Sequence, residues 1–115
     1  MKFLCLAYGA EKDWKESSKE EQNAMLAQDE ALRRRGTLMA AVKTDVVRLS
    51  AWDGLPITSK GPYAHSEAPL AGFSIVDADS IDDVVPLVAG TPCARAKGFI
   101  EIRPILAIND YTVDQ

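Results

Sequence analysis

The pattern of apolar residues predicts an α+β domain of the ferredoxin-like, split β-α-β kind. In this arrangement an antiparallel sheet carries two helices on one face, here with an inserted hairpin. Three observations lead to it. Lys2 to Tyr8 alternates Phe3, Cys5 and Ala7 with Leu4, Leu6 and Tyr8, as a strand does. A segment free of proline and glycine follows, with helical spacing of apolar residues up to Arg35. The strand-helix-strand series then recurs between Gly72 and Ile105.

Both faces of the opening strand are apolar, which suits a central strand covered on both sides. Gly9 to Ser17 is polar and breaks the pattern. Ser18 stands three residues before Glu21, the spacing of a capping box, with Ser17 and Glu20 as a shifted alternative. In the helix that follows, Ala24, Ala27 and Ala31 share one side with Met25 and Leu32 beside them. Arg33, Arg34 and Arg35 complement the dipole at its end, and Gly36 is the natural stop. Thr37 to Lys43 is a second strand. Asp45 to Ala51 and Leu55 to Ser59 flank Asp53-Gly54, a hairpin signal, and Pro56 places the return strand at an edge.

An irregular loop, Gly61 to Pro69, leads to a strand over Gly72 to Asp77. Ser80, three residues before Asp83, starts a second helix through Ile81, Val84, Val85 and Val88. Pro86 should kink or shorten it. Phe99 to Ile105 is the last strand, with Ile100 and Ile102 on one face and Glu101 and Arg103 on the other. Residues 1–106 read as one domain and 107–115 as a peripheral tail. Two helices can cover only one sheet face. The apolar character of both sides of the first strand therefore predicts a homodimer with stacked sheets.

Composition narrows the function classes. The chain has 115 residues, 47% apolar and 26% charged, the balance of a folded soluble domain. No apolar run approaches the ~20 residues of a membrane span, and the N-terminus reads as a strand rather than a signal peptide. A net charge of -4 argues against direct nucleic-acid binding. Cys5 and Cys93 are expected as reduced thiols of a cytoplasmic protein, Cys5 buried in its strand and Cys93 more exposed in a loop. A single histidine and two distant cysteines leave no material for a zinc site, and Asp77, Asp79, Asp82 and Asp83 lack the pattern of a calcium loop. No metal and no cofactor are expected.

Lys60-Gly61-Pro62-Tyr63, followed by Leu70-Ala71-Gly72-Phe73, resembles the signature of the YCII-related family in its DGPF-domain branch. Tyr8-Gly9, the helix end Glu30 to Gly36, Trp52-Asp53-Gly54 and Glu101-Ile102-Arg103-Pro104 fit in order, so the likeness spans residues 1 to 106. The resemblance implies a small ferredoxin-like dimer. Members of the wider family carry a His-Asp pair in a cleft, for which an enzymatic role has been suggested. The DGPF branch has no established reaction, and its bacterial proteins often lie near, or are fused to, extracytoplasmic-function sigma factors. Here Lys60 replaces the signature's leading Asp and Tyr63 its Phe, and the first helix has no histidine, so the pair does not carry over.

The candidate chemistry centres on the loop. Histidine exchanges protons near neutrality, and His65 lies in a segment framed by Gly61 and Pro62. A carboxylate that orients its ring could be Glu67, Asp29 or Glu30. Tyr63, Lys60, Arg103 and Tyr8 are the candidate ligand contacts, with Arg103 held on its strand beside Glu101. Two functions compete. One is a dimer that binds a small molecule or a protein partner in a regulatory setting. The other is a cofactor-free enzyme acting on a small anionic or aromatic metabolite, with His65 as general acid and base.

Overall fold

The computed structural model describes residues 1–109. The opening strand is β1 (Lys2–Tyr8). A short helix α1 (Glu11–Glu16) occupies the polar stretch that the sequence leaves irregular; its N-cap, Ala10, offers no side-chain oxygen, so the usual start signal is missing. The long helix α2 (Lys19–Arg34) begins with the capping box at Ser18 and Glu21, with both reciprocal bonds present at 3.0 and 2.9 Å. Its end is set by Gly36, whose φ of 81° is the left-handed geometry that favours glycine. Glu30 binds Arg33 and Arg34 in the last turn.

The inward face of α2 differs from the alanine stripe predicted for it. Met25 and Leu32 are buried and Asp29 is half-buried between them, whereas Ala24, Ala27 and Ala31 face water. Steps of four and three residues put 25, 29 and 32 on one stripe, and alanine, with little surface to bury, yields that stripe to larger side chains.

Four strands form the main sheet: β1, β2 (Leu38–Ala41), β5 (Leu70–Asp77) and β6 (Phe99–Pro104), in the order β2-β5-β1-β6 with every pair antiparallel. Two β-α-β halves thus interleave, as the sequence predicts. The hairpin strands β3 (Val47–Ser50) and β4 (Ile57–Lys60) pair only with each other, as a separate two-stranded sheet. The second half carries α3 (Ile81–Val88) and a single turn, α4 (Pro92–Arg95). Ser80 accepts a bond from the Asp83 amide at 3.3 Å, and α3 ends two residues beyond Pro86. The expected loop at Cys93 is instead helical, because proline is well placed at the first helical position after Thr91.

Cross-strand register sorts the sheet residues into two faces. Phe3, Cys5, Ser74, Val76, Ile100 and Ile102 point toward the helices, where Phe3, Cys5 and Val76 close a core with Leu32, Val84 and Val88. Leu4, Leu6, Tyr8, Phe73, Ile75 and Phe99 point the other way, onto a face that no described element covers. No helix among the described residues is long and apolar enough to cross a membrane. Residues 110–115 of the predicted tail lie outside the described residues.

Candidate functional site

The expected site residues fall into three places. Lys60, Tyr63, His65 and Glu67 are all exposed along the end of β4 and the loop after it, with Tyr63 92% exposed. Gly61 there has a φ of 102°, so glycine frames the turn as expected. Tyr8 and Arg103 lie on the uncovered sheet face. The Tyr8 hydroxyl donates to Glu101 at 2.9 Å, Arg103 reaches the same carboxylate at 3.5 Å, and the Tyr8 ring stacks on Phe99 at 4.9 Å. That hydrogen bond holds the phenol proton and raises the Tyr8 pKa, with desolvation and the Glu101 charge adding to it. Asp29 lies on the opposite, helix-covered side of the sheet. The structure therefore brings Tyr8 together with Arg103, and neither of them with Asp29; His65 lines neither of the cavities described next.

On the helix side, α2 and α4 do not close fully on the sheet. They leave a cavity of about 300 Å³ between Asp29 and Leu32 of α2, Cys5 and Ser74 of the sheet, and Thr91 and Cys93. Small residues create the space: Ala7, Ala41, Ala71 and Gly72 supply backbone and little else. Gly72 is required by packing, since a Cβ there would sit 2.5 Å from the Ala40 carbonyl oxygen.

Most polar groups in this cavity are already engaged. Thr91 donates to the Val88 carbonyl at 2.6 Å, and the Cys5 thiol neighbours the Ser74 hydroxyl. Arg33, at the edge, is bound to Glu30. Asp29 differs, for among the described residues its carboxylate makes no hydrogen bond and no ion pair. Burial pushes its pKa up, and the Arg33 charge only partly opposes this. The Cys93 thiol is raised too, first by burial and then by the Asp29 charge, and Cys5 by burial. Both thiols are accordingly poor nucleophiles at neutral pH. No group of three or more potential ligands could hold a metal ion among the described residues.

A pH dependence follows. A carboxyl whose folded pKa exceeds its unfolded value favours the fold while protonated. Its contribution is complete below the unfolded value, about 4, and is lost as pH rises through the folded pKa. Asp29→Asn should therefore melt a few degrees above the parent at pH 7, with the gap closing toward pH 4. A thermal melt series over that range checks it, and a gap that widens in acid contradicts the assignment.

Of the cavity groups, sequence reasoning had Asp29 as one of three carboxylates and missed Ser74, Thr91 and Cys93 as its neighbours. The signal for Asp29 was its place between Met25 and Leu32; that for Cys93 was Thr91-Pro92 as a helix start. A family model described as a YCII-related domain matches residues 1–109. No curated protein matches the chain.

Proposed function

The chain belongs to the YCII-related family, and from that premise we propose that it is a binding protein for a small metabolite, seated in the cavity between α2, α4 and the sheet. The unpaired, half-buried carboxylate of Asp29 in that cavity carries the reading. A concave, mainly apolar space with one free polar group is how small-ligand sites are built. The likeness of Lys60-Gly61-Pro62-Tyr63 to the DGPF-domain signature supports a place in that branch, and with it a regulatory setting in the cytoplasm, such as association with a sigma factor. The uncovered sheet face, with Leu4, Leu6, Phe73 and Ile75, supports a homodimer with stacked sheets. In it Tyr8, Glu101 and Arg103 serve the contact between copies, and residues 1–106 form the repeating domain.

Amide chemical shifts, followed during titration with small amines, acids and aromatics, test the binding site. Shifts should move around Asp29, Ser74 and Thr91 and be lost in Ala41→Phe, which fills the cavity. Movement confined to the uncovered sheet face would overturn the site. Turnover of a bound compound that His65→Ala abolishes would favour an enzyme with His65 as acid and base. In analytical ultracentrifugation the parent should sediment as a dimer and Leu6→Glu as a monomer.

A further inference from the structure

The cavity at Asp29 has a neighbour. A second chamber of about 260 Å³ lies beyond it, lined by Trp14 of α1, Val42 and Thr44 after β2, Leu70 of β5, and Ala96. Ala71, Pro92 and Cys93 line both chambers, so the two share one wall. Cys93 stands in that wall, and its Sγ packs over Gly9 of the second chamber: a Cβ on Gly9 would come within 2.9 Å of it. Cysteine has a single side-chain torsion, and its rotation reshapes the shared wall without moving backbone.

The chambers differ in chemistry. The first holds Asp29, a carboxylate without a partner. The second is walled by Trp14, Val42, Pro69 and Leu70, and its one charged lining residue, Glu11, is exposed and paired with Lys15 at 3.3 Å. The short helix α1 exists in this setting as the element that brings Trp14 over the second chamber.

We propose that the two chambers together bind one extended amphipathic amine, its ammonium at Asp29 and its aryl or branched alkyl group against Trp14, the ligand crossing beside Cys93 in the wall they share. This rests on the binding role proposed above and adds the ligand class and its orientation. A half-buried carboxylate without a partner gains from a ligand that brings a positive charge, because screening is weaker there than in open water. An aromatic body gains from the apolar second chamber, and the indole of Trp14 offers it a ring face.

The test uses the full chain with three probes: phenylbutylamine, which has head and ring; butylamine, which lacks the ring; and phenylbutyrate, which reverses the head charge. Affinities are read by titration calorimetry. Phenylbutylamine should bind at least tenfold more tightly than either of the others. Val42→Trp, which fills the second chamber from an exposed position after β2, should weaken it at least tenfold and leave butylamine unchanged. Bound phenylbutylamine should also slow alkylation of Cys93 by iodoacetamide, read by intact mass; Cys5, 2% exposed, stays silent.

If phenylbutylamine binds the Val42→Trp variant as it does the parent while Ala41→Phe abolishes binding, the ligand uses the first chamber alone. The extended-ligand proposal then fails and the binding role survives. Preference for phenylbutyrate would refute the assigned orientation at Asp29. If no probe binds, or Ala41→Phe changes nothing, both fall. Unaltered melting curves of the two variants exclude unfolding as the cause.

Discussion

Gly98→Ala should lower the melting temperature by on the order of 10 °C, a loss of about 3 kcal/mol at this chain length. A Cβ at Gly98 would stand 2.0 Å from the Tyr8 carbonyl oxygen, 2.7 Å from that of Cys93 and 3.1 Å from the Gly9 Cα. All three neighbours are backbone. No rotamer change relieves the contact, and the end of β1 must part from α4. Gly98 does not adopt the left-handed geometry found at Gly36 and Gly61, so the cost is steric rather than torsional. Scanning calorimetry decides the matter, and a change below about 2 °C would mean that β1 and α4 can separate freely here. The same displacement reaches Gly9 and Cys93, so the variant should also lose the Cys93 protection expected with phenylbutylamine.

Phe3→Ala should cost about 3–5 kcal/mol, enough to unfold much of a domain of ordinary stability at 37 °C. Phe3 is 1% exposed in the middle of the core formed with Leu32, Val76, Val84 and Val88. Its partners come from both β-α-β halves, so the space left behind cannot close by moving one element. Urea unfolding gives the number. A loss under 1 kcal/mol would show that the core collapses around the deletion. Cavity and transfer terms both contribute, and their sum varies with how far the surroundings relax.

What the residues revealed and what they hid follow from the range of the interactions involved. The bounds of β1, the start of α2 at Ser18 and Glu21, the turn at Asp53-Gly54 and the cap at Ser80 are each set by neighbours within a few residues. They are legible for that reason. The helix α1 is not, because Ala10 gives no side-chain cap and none of its residues is buried, so no apolar stripe marks it. Nor is the stripe of α2, since alanine is at home on either face, and only the packing of Leu32 onto the sheet and α3 decides which one turns inward. The cavity is harder still. Asp29, Ser74 and Cys93 are separated by long stretches of chain, and nothing local tells that Ala7, Ala41 and Gly72 leave room between them. The loop of His65, by contrast, is conspicuous in sequence because glycine, proline and the lone histidine stand close together, yet His65 itself lines neither cavity.

The hairpin β3–β4 has a consequence for cooperativity. It shares no ladder with the main sheet, and its apolar side chains stand in water, with Val47, Leu49 and Leu55 more than 60% exposed and Trp52 wholly so. A lone two-stranded ribbon is marginal in water. Its opening forfeits little beyond its own few hydrogen bonds, and the sheet and helices keep theirs. The protein thus has two energetic tiers, in which the hairpin frays at little cost beneath a core that melts as a unit. The denaturant sensitivity and heat capacity of global unfolding then report on the sheet and its helices alone, and both should be smaller than the length of the chain suggests.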